Sequence, residues 1–156
     1  MKPSFAFDTS SLVSLGHTDV IRKVIDNFEI IITETILDEL LRVISYSDSH
    51  SKAAMKWMNH RAVFRIRQVK EKKKHGEDEL FIICKKENLI LVCDDIKALK
   101  RYDGQVRWFF SVNIIHSLKL KNVITREEAR KSFRTMREER NWKDNLIYTT
   151  GRILIE

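Results

Sequence analysis

The chain has 156 residues, 43% of them apolar and 33% charged, which is one domain's worth of sequence with enough apolar content for a single core. No apolar run approaches the roughly 18 to 20 residues that span a bilayer. The start, Met1-Lys2-Pro3-Ser4, leads directly into a strand-like run instead of a signal peptide's long apolar stretch, so a soluble cytoplasmic protein is expected. The formal charge of +7 is uneven: residues 1–50 hold four Lys/Arg against eight Asp/Glu, leaving 25 against 14 in the remainder. Basic residues gather at Arg61, Arg65, Arg67, Lys70, Lys72, Lys73 and Lys74, and again from Lys119 to Arg140. Such clusters suit a polyanion partner, although the second, interleaved with Glu127, Glu128, Glu138 and Glu139, also suits a solvated helix face.

In chain order, residues 4–7 read as a strand closed by Asp8, followed by helix over 10–15 and 19–27 with an interruption at Gly16-His17. Residues 28–32 read as a second strand, after which Thr33 or Thr35 can cap a helix that carries Glu39 and fades in the polar stretch 45–51. Helical character returns over 52–60, and 63–66 reads as extended. Gly76 opens an apolar helix over 77–86 that Asn88 ends. Residues 89–93 form the next strand, 96–102 a short helix, 106–109 another strand and 112–120 a helix. Thr125-Arg126-Glu127-Glu128 is a capping box for a helix running to about Asn141. The tail 145–155 is apolar enough to dock but takes no assignment. Strand alternating with helix predicts a three-layer α/β/α domain with a mainly parallel sheet, helical in its C-terminal portion from about 112. The four glycines fall between these elements.

The acids carry the functional signal. Asp8 and the pair Asp94-Asp95 each close an apolar run, and open parallel sheets place chemistry beyond the carboxyl ends of their strands. Glu39 sits early in a helix, and Glu77, Asp78 and Glu79 open another. Carboxylates bordering core segments are costly unpaired, which suggests a shared cation; oxygen ligands without a His or Cys cluster suit Mg²⁺ or Mn²⁺.

In order and spacing, Asp8-Thr9-Ser10, Glu39 within Asp38-Glu39-Leu40-Leu41, Gly76-Glu77-Asp78-Glu79 and Cys93-Asp94-Asp95-Ile96-Lys97 together resemble the PIN-domain ribonucleases, over essentially the whole chain. The likeness is to VapC-type toxins and their archaeal relatives, in particular a subgroup with a Gly-Glu-x-Glu motif. The resemblance implies Asp8, Glu39, Glu79 and Asp95 as the catalytic, metal-holding set, with Thr9 or Ser10 beside the metal and Glu77, Asp78 and Asp94 as alternative ligands. It further implies an RNA substrate cleaved to 5′-phosphate and 3′-hydroxyl ends, and an antitoxin partner. Lys72, Lys73, Lys74 and Lys97 are the expected RNA contacts. Other readings are an RNA-processing nuclease, a catalytically silent RNA-binding or assembly module, and an aspartyl-phosphate phosphatase; Ser10 stands where such phosphatases carry a second Asp.

Cys84 and Cys93, inside apolar segments, read as buried thiols. Of the five histidines only His75, beside Gly76, is expected near the site. Trp57, Trp108 and Trp142 read as core residues that could otherwise stack on bases. An apolar patch of Val13, Ile21, Val24, Trp57 and Met58 could support a homodimer.

Overall fold

The computed structural model describes residues 1–70, 73 and 75–156. Among the described residues five strands, β1 (Ser4–Phe7), β2 (Glu29–Thr33), β3 (Phe64–Arg67), β4 (Ile90–Val92) and β5 (Trp108–Phe109), form one sheet in the order β3-β2-β1-β4-β5. Every pairing is parallel, with Ala6 opposite both Ile31 and Leu91. β1, β2 and β4 read as near-continuous apolar runs because helices cover both faces of the sheet, and their residues Ala6, Phe7, Ile30–Ile32, Leu91 and Val92 are fully buried.

The helices follow the sequence closely. α1 (Thr9–Gly16) and α2 (Ile21–Asn27) break where Gly16-His17 predicted, and α3 (Glu34–Ser45) is capped by Thr33, whose hydroxyl accepts from Ile36 N–H at 3.3 Å. α4 (Ser49–Met58) begins three residues earlier than its apolar face implied, because Asp48 and Ser51 form a reciprocal capping box. A single 3-10 turn (Arg61–Val63) leads into β3. α5 (Gly76–Glu87) ends at Asn88, which takes the left-handed conformation with φ 54°. α6 (Ile96–Tyr102) and α7 (Ser111–Leu120) follow β4 and β5, and α8 (Arg126–Glu139) carries the Thr125/Glu128 capping box. The unassigned tail is α9 (Leu146–Ile155), started by the Asn145 cap and docked on α7 and α8.

Crossovers between parallel strands are right-handed, so the leftward steps β1 to β2 to β3 and the rightward return from β3 to β4 place their helices on opposite faces. α5 accordingly packs against β1, β2 and β4, while α1, α2, α4 and α7 associate with one another. Trp57 of α4 is completely buried and donates its indole N–H to Leu12 carbonyl at 2.6 Å, which ties α4 to α1. Val13, Ile21, Val24 and Trp57 are all core residues and Met58 packs half-buried against them, so the expected dimer patch does not exist on the surface. Trp142 is buried and Trp108 half-buried, in keeping with packing roles. Among the described residues, no helix is long and apolar enough to cross a membrane.

Three glycines lie within helices, contrary to the expected loop placement; only Gly104 is in a loop. Gly151 permits α9 to lie directly on α8, since an added Cβ would fall on the Phe133 ring. Gly151→Ala is therefore expected to lower the unfolding free energy by about 1–3 kcal/mol, measured by urea titration, as overpacking of a close helix contact does.

Candidate functional site

β1 is the strand at which the chain reverses its direction across the sheet: it runs out to β3 and returns to β4, leaving β1 and β4 adjacent with their connections leading off in opposite directions. This is the switch-point crevice where open parallel sheets receive ligands. A cleft of about 460 Å³ opens there, lined by Asp8, Thr9, Ser10 and Val13 of the β1/α1 region, Glu39 and Val43 of α3, Tyr46, Asp48 and His50 at the α3/α4 corner, His75 and Glu77 at the start of α5, Asp95, and Arg140.

Asp8 is the floor of the cleft. It caps α1, accepting from Ser11 N–H at 2.9 Å through Oδ1, while Oδ2 accepts from the Ser10 hydroxyl at 2.7 Å and the Cys93 thiol at 3.1 Å. Its own N–H donates to Val92 carbonyl at 3.1 Å, which holds the end of β1 to β4. Burial raises its pKa from 3.8 to about 6, the neutral donors of Ser10 and Ser11 offsetting only part of that desolvation. Among the described residues no Lys or Arg is paired with it.

The two ambiguous acid pairs separate cleanly. Asp94 is buried and committed to structure: Oδ1 accepts from Ser111 N–H at 2.8 Å and Oδ2 from the Ser111 hydroxyl at 2.6 Å, so the carboxylate caps the first residue of α7. Burial pushes its pKa up as well. Its N–H donates to Ser10 Oγ at 2.9 Å, which in turn orients Ser10 toward Asp8. Asp95 is exposed, lines the cleft and caps α6 through Ala98 N–H at 3.1 Å.

On α5, Glu77 and not Glu79 reaches the cleft. Two residues along a helix turn a side chain by about 200°, so the two acids face opposite ways. Glu79 is buried toward α3, accepting from Thr35 Oγ1 at 3.0 Å, and among the described residues its Oε2 has no hydrogen-bond partner. It lines a separate cavity of about 180 Å³ with Glu34 and Gln68. Glu77 pairs with Arg101 at 3.3 Å, as Asp78 does at 3.5 Å. Glu39 accepts from the Thr9 hydroxyl and, at 3.0 Å, from Gly76 N–H; glycine at 76 lets the start of α5 come this close, since a Cβ would lie 3.1 Å from Glu39 Oε1 and against Ile36.

The cleft thus joins Asp8, Glu39, Glu77 and Asp95. Their donor type suits a hard divalent cation, and the buried Asp8, short of positive charge, is a carboxylate that such a cation would hold ionised. In the arrangement observed each carboxylate is drawn onto a protein donor, and among the described residues no three His, Cys, Asp or Glu side chains stand close enough together to hold a metal ion.

His50 was not anticipated. It lines the cleft beside Asp48, and its Nδ1 stands 2.8 Å from Nε2 of His17, whose own Nδ1 faces Glu139 at 3.8 Å. Burial lowers the His17 pKa from 6.5 to about 4. Its polar neighbours gave no local pattern in the sequence that could have revealed the pair. His75 lines the cleft as expected. Of the expected RNA contacts, Lys97 is exposed on α6 two residues beyond Asp95, Lys73 lines a cavity at the far side of α5, and Lys72 and Lys74 lie outside the described residues. Both cysteines are buried, and burial pushes the Cys84 thiol up to about 12 and the Cys93 thiol higher still.

No protein-family model matches the chain, and no curated protein matches it.

Asp8 and His17 pull the stability of the fold in opposite directions with pH. The stability contributed by Asp8, whose folded pKa is raised, is full below about 3.8 and is lost as pH rises through about 6. That contributed by neutral His17 is full above about 6.5 and is lost as pH falls through about 4. Urea unfolding between pH 4 and 6.5 is expected to show stability rising with pH in Asp8→Asn and falling with pH in His17→Gln, with the wild type between them. Parallel profiles in all three proteins would contradict these assignments.

Proposed function

We propose that this protein is a PIN-like endoribonuclease that depends on Mg²⁺ or Mn²⁺, with Asp8, Glu39, Glu77 and Asp95 as its acidic site. The observation that carries this reading is the meeting of Asp8, Glu39, Glu77 and Asp95, from separate elements, in one cleft at the β1/β4 switch point, with Asp48 also on its lining. The order of the acids along the chain supports it, with Glu77 taking the place first given to Glu79. A bound divalent ion would supply charge neutralisation at the phosphodiester and a more acidic water.

The remaining work falls to the protein. Ser10 and Ser11 hold Asp8 in one orientation, Thr9 and the Gly76 amide hold Glu39, and the Asp95 cap fixes its backbone at the rim. Pre-set ligands of this kind lose little entropy when they engage a cation. A second cavity of about 530 Å³, on the opposite flank of α5, is lined by Arg67, Lys70, Lys73 and Lys86 together with Ile82 and Ile83. In this reading it forms part of the path of the RNA backbone, and α5 connects that path to the acids.

The narrower proposal, from the sequence resemblance, is that the nuclease is the toxin of a toxin–antitoxin pair, restrained by a partner that covers the acidic cleft. Induced expression of the wild type, but not of Asp8→Asn, would then arrest growth, and co-expression of the adjacent reading frame would relieve the arrest.

Asp8→Asn is expected to abolish Mn²⁺-dependent cleavage of single-stranded RNA while preserving or strengthening RNA binding, because it removes a negative charge facing phosphate. Glu77→Gln should lower the cleavage rate at least about tenfold more than Glu79→Gln. Replacing Lys70, Lys73 and Lys86 together by Ala should weaken binding and flatten its dependence on salt, since fewer counterions are released. Cleavage by Asp8→Asn at the wild-type rate under controlled metal would refute the nuclease reading. An unchanged salt slope in the triple lysine variant would remove only the RNA path.

A further inference from the structure

The cleft that holds the acids also carries different chemistry: Tyr46 and His50 line it from the α3/α4 corner and Arg140 from the end of α8. His50 does not stand alone there. Its Nδ1 lies 2.8 Å from Nε2 of His17, with the rings nearly perpendicular at 71°. Two nitrogens at that distance need one proton between them, because two lone pairs would repel.

The identity of the donor follows from the third member. His17 has a nearly buried side chain, 6% exposed, and Glu139 faces its Nδ1 at 3.8 Å. A neutral imidazole carries one N–H, and the carboxylate favours it on Nδ1. Nε2 of His17 is then the acceptor, so Nδ1 of His50 is the donor. His50 is left with Nε2 as the position that gains or loses a proton, on a ring whose other nitrogen is already committed and whose edge borders the cleft. Asp48 precedes α4, Lys56 follows on the same helix, and Glu139 and Arg140 approach from α8. Besides His50, the titratable groups that line the cleft are Asp8, Glu39, Asp48, Glu77, Asp95, Tyr46, His75 and Arg140.

We infer that His50 is a catalytic residue of the proposed nuclease, donating the Nε2 proton to the departing 3′-oxygen, and that His17 and Glu139 are positioning residues that fix its tautomer and ring orientation. The inference rests on the nuclease reading. In the step, the oxygen of a water forms a bond to phosphorus and releases one of its protons to solvent, while the bond from phosphorus to the 3′-oxygen breaks. The leaving oxygen takes the His50 proton to become the 3′-hydroxyl, and the neutral imidazole recovers a proton from solvent. His17, held neutral by burial, never competes for that proton but accepts the Nδ1–H throughout.

The test uses the full-length protein with Mn²⁺ and a pool of single-stranded RNA oligonucleotides, from which one cleaved linkage is resynthesised with sulfur in place of its 3′-oxygen. A thiolate leaves without protonation, so the sulfur linkage bypasses a general acid. His50→Gln is expected to lower kcat on the ordinary linkage about 10²-fold or more with KM within about threefold, and to lose the alkaline fall in the pH–rate profile. On the sulfur linkage it should match the wild type, which also establishes that the variant is folded. Equal rates on the ordinary linkage, or equal losses on both linkages, would overturn the role of His50 while leaving the nuclease reading intact. Undiminished cleavage by Asp8→Asn, or none by the wild type, would instead remove the nuclease reading and this inference with it.

Discussion

The hydrogen bond from Asp8 N–H to Val92 carbonyl is the join on which the arrangement turns. β1 and β4 are separated by more than 80 residues, yet they are neighbours in the sheet because the chain goes out to β3 before it comes back. Closing so long a loop costs entropy that many later contacts must offset. The return is secured at the very end of the strands, where the Ser11 hydroxyl also donates to Val92 carbonyl at 2.8 Å. The same few atoms end the pairing, start α1 and set the depth of the cleft, so the chemistry of the cleft cannot be separated from the closure of the sheet.

Around that join the protein uses serines where charged partners would have been the simpler choice. Ser10, Ser11 and Ser111 satisfy the oxygens of Asp8 and Asp94 with neutral donors. Neutral hydrogen bonds orient a carboxylate without cancelling its charge, and burial then leaves Asp8 poised near neutrality in pH. A lysine in their place would have carried its own desolvation cost and cancelled the charge of Asp8. The nearest guanidinium on α6, that of Arg101, is spent on Glu77 and Asp78 at the rim.

Most of the architecture was legible because local signals agreed with the global fold: β1, α6 and the α8 capping box stand where the apolar runs and cap residues put them. Asp8 and Asp95, each at an element boundary, and Glu39, within α3, line the one cleft. Glu79 was misplaced because its position next to Leu80 says nothing about helix phase, and the two sides of α5 differ only by the 200° between neighbouring alternate residues. Apolar residues do not disclose which of two faces is buried, which is how core side chains such as Val24 and Trp57 were taken for a surface patch. The His17–His50 pair joins positions 33 residues apart across two helices, and no periodicity in one helix encodes a contact with another. α9 was hidden by its glycine, whose helix penalty is outweighed by the close approach it allows to Phe133.

β3 is an edge strand of the sheet, and its sequence Phe-Arg-Ile-Arg carries a consequence for how the molecule meets its neighbours. An edge presents unpaired backbone groups that can recruit another edge, and Ile66 is 43% exposed on it. Arg65 leans toward Glu29 on β2 at 3.9 Å, and Arg67 toward Glu87 on α5 at 3.2 Å, both arginines leaving the strand on the face opposite that isoleucine. They keep the rim of the sheet solvated and discourage strand-by-strand stacking of one molecule on the next. Replacement of either arginine by an uncharged residue would leave this edge with one guard fewer.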